Sequence, residues 1–146
     1  MIDFYSIKKS LEITDTYHDR LSNRFMLSEG DYDELRERVI FTACSVCKSC
    51  ISGFFTGYKP EDVKARWLVY HFYRYGQCET DENRVLMSYR ALSDYFGLEH
   101  RASSLKQVRN AVLMEKDPEF YLQKKKFYCR LELSEEYERL KNKLNL

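Results

Sequence analysis

The sequence predicts an all-α protein, a multi-helix orthogonal bundle containing a helix-turn-helix, and three observations carry that prediction. Apolar residues recur at three- and four-residue intervals over most of the chain. Pro60 and Pro118 each stand where a helix would begin, with carboxylates beside them. Residues 88–112, SYRALSDYFGLEHRASSLKQVRNAV, read as two short helices joined by a glycine turn.

Taken in order, residues 4–11 and about 15–27 form two modest amphipathic segments separated by the β-branched Ile13 and Thr14. A polar break at 28–31, with Gly30, sets off residues 1–30 as an N-terminal helical extension to a domain spanning 31–146. A long helix is predicted from Asp31 or Tyr32 to Phe55, ending at Gly57. Pro60 opens the next helix where its missing N–H does no harm, and Glu61 and Asp62 sit at the positive helix end. The run from Arg66 to Tyr73 is apolar nearly all the way round, the pattern of a central buried helix that stops at Gly76. Residues 77–83, QCETDEN, are a polar, acidic loop.

A helix over about 85–96 follows, with Ser88 able to cap it and Leu92, Tyr95 and Phe96 on one face. Gly97 ends it. The next helix runs from His100 or Arg101 to Met114, with Leu105, Val108 and Val112 as its buried stripe and Ser104 and Ala111 at the margin. That spacing turns Ser103, Lys106, Gln107 and Asn110 outward and leaves Arg109 on the flank. Asp117 and Pro118 start a further helix carrying Phe120, Phe127 and Leu131, with Lys124, Lys125 and Lys126 as an exposed basic cluster. FYCRLEL at 127–133 partly alternates and could instead form the wing of a winged helix, but no hairpin turn accompanies it. Ser134 begins a last helix with Tyr137, Leu140 and Leu144.

Composition bounds the function classes. The 146 residues are 44% hydrophobic and 32% charged, enough for one soluble domain with a core. No apolar run approaches the ~20 residues of a membrane span, and MIDFYSIKK lacks the build of a secretory signal, so a cytoplasmic location is expected. Net charge is only +1, but residues 59–130 hold 14 Lys and Arg against 10 Asp and Glu, so the surplus of four falls on the segment containing the second helix of the pair.

Cys44, Cys47 and Cys50 form CxxCxxC inside a helical stretch, where a small apolar side chain packs well; a metal or redox site is the rival reading. His18, His71 and His100 are scattered without motif partners, and neither GxSxG nor GxxxxGK[ST] occurs, so no enzyme and no cofactor is expected. His71 is expected in or beside the core of its aromatic helix.

From about residue 33 to 131 the chain resembles the C-terminal DNA-binding domain of the bacterial replication initiator DnaA, of the Trp-repressor/DnaA-like helix-turn-helix class. The resemblance rests on Ala65 and Arg66 in the central helix, the run YRALSDYFG at 89–97, Arg109 in the second helix, and Asp117 to Phe120 opening the next. It implies that the second helix enters the major groove and that Arg66 grips phosphate. The family begins its recognition helix with Arg-Asp-His-Thr-Thr; this chain has Glu99, His100, Arg101, Ala102 and Ser103. The pattern of donors offered to the bases is therefore different.

The expectation is thus a double-stranded DNA-binding protein, replication-related or regulatory. Ser103, Lys106, Gln107 and Asn110 would face bases, and Arg66, Arg101, Arg109, Lys124 and Lys125 would lie on phosphates. A helical protein-interaction module that keeps this fold without DNA binding is the alternative. Residues 1–30 would pack on the domain or mediate contact with a second copy or another protein.

Overall fold

The computed structural model describes residues 29–78, 85–98, 101–135, 138, 139 and 142; the two N-terminal amphipathic segments fall outside this set. Its helices are α1 (Glu29–Cys47), α2 (Ile51–Thr56), α3 (Pro60–Tyr75), α4 (Tyr89–Tyr95), α5 (Arg101–Leu113) and α6 (Pro118–Glu132). A short 3₁₀ turn, Met114–Lys116, joins the last two. No strand occurs among the described residues, and residues 127–133 form the end of α6 rather than a wing. None of these helices is long and apolar enough to cross a membrane.

α3 is the central element. Leu68 through Tyr73 are all buried, six residues in succession, because neighbours cover the helix on every side. α1 packs on it together with α2, α5 packs along it and brings α4 with it, and α6 lies mainly against α1. The core joins Val39, Ile40 and Ala43 of α1 to Leu68, Val69 and Phe72 of α3 and to Leu92, Val108, Phe120, Phe127 and Leu131. Aromatic rings close it with edge-on contacts: Tyr70 meets Phe96 at 4.9 Å between centroids, Tyr73 meets Tyr95 at 5.3 Å, and Trp67 meets Phe120 at 5.6 Å. Such geometry sets the positive edge of one ring against the negative face of the next.

Local signals set most helix ends. Ser88 caps α4 by accepting the Ala91 N–H at 3.1 Å, and Asp117 caps α6 by accepting the Glu119 N–H at 3.2 Å. Gly76 ends α3 in the left-handed conformation, and its N–H reaches the Phe72 carbonyl. α4 starts at Tyr89, not near residue 85: the Leu86 N–H donates to the Arg74 carbonyl and an Arg74 Nη1 donates to the Met87 carbonyl. These two bonds hold residues 85–87 against the end of α3 and away from helical geometry.

The single long helix expected over 31–55 is two helices. Lys48 adopts φ +61°, and the Ser49 N–H turns back to the Cys44 carbonyl at 2.9 Å, a Schellman closure with lysine where glycine is usual. Cys50 then caps α2, its sulfur accepting the Gly53 N–H at 3.3 Å. The break divides the three cysteines. Cys44 and Cys47 are buried as packing residues, whereas Cys50 is exposed.

Candidate nucleic-acid interface

α4 and α5 are held together by a serine pair. Gly97 takes φ +70° and the Leu98 N–H returns to the Ser93 carbonyl, closing the turn after α4. Ser104 then donates its hydroxyl to the Tyr89 carbonyl at 2.8 Å, and the Ser93 hydroxyl donates to Ser104 Oγ at 2.7 Å. Both serines are buried. The two bonds link the start of α4 to the first turns of α5 and fix how α5 is rotated about its axis.

That rotation differs from the expected one. The buried stripe is Ser104, Val108 and Ala111, each 1% exposed or less, while Leu105 and Val112 are half-buried. At ~100° per residue, the outward face is therefore turned by roughly 60° from the predicted side. Lys106 lies at its centre, Leu113 is 55% exposed one heptad further on, and Arg109 and Asn110 flank this line. Arg109, expected at the edge, is fully on the surface; Ser103 and Asn110 are half-buried. Gln107 is half-buried and its Oε1 is enclosed without a hydrogen-bond partner, so it does not project with Lys106 as expected. Arg101 begins α5, and its side chain is outside the described set.

Two expected phosphate contacts are corrected. Arg66 is half-buried, and its guanidinium closes the C-terminal end of α2: Nη1 donates to the Phe54 and Gly53 carbonyls at 2.8 and 3.2 Å, and Nη2 donates to Gly57 at 2.7 Å. A cation on the carbonyl end of a helix satisfies its free acceptors and its dipole together, which leaves little of Arg66 for a phosphate. Lys124 is not in an exposed cluster at all. It is 1% exposed, and only Lys125 and Lys126 face outward, Lys125 with its ammonium 5.2 Å from the Tyr121 ring.

Lys124 enters a buried polar network that spacing could not suggest. Its Nζ donates to Glu115 Oε1 at 2.5 Å and sits 3.3 Å from His71 Nε2. An ammonium only donates, so His71 Nε2 accepts and the ring proton is on Nδ1, which donates to the Tyr128 oxygen at 2.6 Å. Burial, and then the nearby ammonium, push the His71 pKa down to about 3, so the ring is neutral. Of its members, His71 and Lys124 are enclosed and the Glu115 side chain reaches the surface. The network joins α3, the 3₁₀ turn and α6 around the enclosed His71 ring.

A second knot surrounds Asp62. This buried carboxylate accepts the Ser49 hydroxyl at 2.6 Å and the Lys59 N–H at 3.3 Å. It leaves no room at Gly53 and Gly57, where a Cβ would stand 2.4 and 2.0 Å from its oxygens. The signal for this knot is present in the chain as two glycines four apart before an Asp and an Arg four apart.

Burial pushes the Cys44 and Cys47 thiols up to about 12, while hydrogen bonds from the Ser52 hydroxyl and the Gly53 N–H hold Cys50 below its ordinary value. No group of three or more His, Cys, Asp or Glu side chains is placed to hold a metal ion among the described residues. No protein-family model matches the chain, and no curated protein or solved structure does so either.

Proposed function

We propose that the protein binds double-stranded DNA, in a replication-related or regulatory role, through the outward side of α5. One observation carries this reading. Lys106 and Arg109 stand exposed, beside Asn110 and Ser103, on a helix whose rotation is locked by the Ser93–Ser104 pair. From Ser103 to Asn110 the helix rises roughly 10 Å, about three base-pair steps in a major groove. Lys106 and Arg109 supply cations for phosphates or guanine edges, and Asn110 and Ser103 supply short donors and acceptors for bases. Arg101, at the start of the same helix, adds a third charge.

Fluorescence anisotropy on a random duplex of about 20 base pairs tests this reading. Three phosphate contacts give a salt slope near −2.7, so affinity falls about 40-fold between 50 and 200 mM salt. Lys106→Glu and Arg109→Glu should each weaken binding and flatten the slope. Absent binding at low salt would overturn the proposal. A second reading, a protein-interaction module, is favoured by Leu113, which puts an exposed apolar side chain on the same line as Lys106. In that case Leu113→Asp, rather than Lys106→Glu, abolishes the partner's binding.

A further inference from the structure

At the break between α1 and α2, three thiols come together in unequal surroundings. Cys44 and Cys47 are 4% and 3% exposed, whereas Cys50 lies open to solvent. The Cys50 sulfur accepts the Gly53 N–H at 3.3 Å and stands 3.4 Å from the Ser52 hydroxyl. Both groups can donate to a thiolate, which holds a negative sulfur in place at the surface. The Cys44 thiol points into the same corner and donates to the Cys50 carbonyl at 3.5 Å. Charge on Cys50 acts on Cys44, while Cys47 feels Cys44 and the Lys64 ammonium of α3. In an unbroken helix, residues 44 and 50 would stand ~9 Å apart along the axis and on different faces. The left-handed turn at Lys48 folds the chain back and brings this pair together.

We propose that Cys50 is a modification site for hydrogen peroxide, and that Cys44 captures its oxidised sulfur as a reversible disulfide. In the first step the Cys50 thiolate attacks peroxide. An S–O bond forms, the O–O bond breaks, and hydroxide leaves and takes a proton to become water. Cys50 is then a sulfenic acid, oxidised by two electrons, and the peroxide is reduced by two. In the second step the Cys44 sulfur attacks the Cys50 sulfur. The S–S bond forms, the S–O bond breaks, and the departing hydroxyl takes the Cys44 proton and leaves as water. Two thiols have become one disulfide, one peroxide has become two waters, and no other oxidant enters. The surroundings set the order of the steps. Peroxide reacts with an accessible thiolate, which Cys50 supplies. Burial keeps Cys44 out of its reach and protonated until the sulfenic acid forms beside it. This assignment is independent of the DNA-binding proposal.

The test treats the reduced, full-length protein with hydrogen peroxide, blocks the remaining thiols with N-ethylmaleimide and maps tryptic peptides by mass. Cleavage after Lys48 separates Cys50 from the other two, so residues 39–48 should appear linked to residues 49–64. Dithiothreitol should release the pair. Fragmentation of the linked peptides should place the bond at Cys44 in the wild type, with no substitution needed. Cys47→Ala should keep the link, and Cys44→Ala should abolish it. In Cys44→Ala with peroxide present, dimedone should label Cys50 at least about tenfold faster than Cys129, which is also exposed. Cys50→Ser, which keeps a capping oxygen, should prevent both the link and this labelling. Thermal melting should confirm that each reduced variant remains folded. A link through Cys47, first oxidation at Cys78 or Cys129, or an unmodified Cys50 would overturn the proposal.

Discussion

Lys48 shows how one backbone position can decide the path of a chain. A non-glycine residue in the left-handed region costs roughly 1–2 kcal/mol, and Lys48 bears that cost where it separates α1 from α2. Lys48→Gly is therefore expected to raise stability by about 1 kcal/mol, read as a higher thermal midpoint. Gly57 behaves in the opposite sense. Its φ of −83° suits any residue, but a Cβ would lie 2.0 Å from Asp62 Oδ2. Gly57→Ala should destabilise the protein by on the order of 2 kcal/mol, because the buried carboxylate must shift away from its bonds with Ser49 and Lys59. Lys124→Met should lower stability by about 1–3 kcal/mol, since His71 Nε2 loses its donor in a buried place; equilibrium urea unfolding would measure it. Neither the strain at Lys48 nor the direction of Lys124 could be read from spacing. Lysine is an ordinary helix residue, and three lysines in a row look like a solvated face.

Among the helices, the pairing of α4 with α5 depends on small polar groups. Ser104→Ala removes the donor that serves the Tyr89 carbonyl and the acceptor that serves the Ser93 hydroxyl. The expected cost is about 1–3 kcal/mol in chemical denaturation. The presence of both helices, the Ser88 cap and the Gly97 turn were legible, because each follows from local backbone chemistry. The rotation of α5 was not. Ranking side chains by hydropathy puts Leu105 inside and Ser104 at the margin, yet a hydroxyl with two partners packs more closely than a leucine and takes the centre of the contact. The result exchanges Gln107 for Arg109 on the outward face, which changes which side chain is worth mutating first.

In the protein as a whole, the His71 network couples folding to protons. The native ring resists protonation down to about pH 3, whereas in the unfolded chain it takes a proton below 6.5. The unfolded state therefore binds more protons between these limits, and stability falls as pH drops through that window. The slope reaches about 1.4 kcal/mol per pH unit, and above 6.5 this contribution is complete and flat. Denaturation midpoints followed from pH 7 to 4 should show the decline, and His71→Phe should flatten it.

Sequence alone determined the all-α class, the central place of α3, and the helix limits at Pro60, Gly97 and Asp117, since periodic apolar residues and capping groups act within a few residues of themselves. Tertiary structure alone decided the rotation of α5, the break before α2, the inward turn of Lys124 and the use of Arg66 as a helix clamp. Their partners come from separate elements, 53 residues apart for Lys124 and His71, so no local pattern records them. A polar side chain goes wherever its hydrogen bonds can be met, and in a helical bundle the assembled neighbours settle that place.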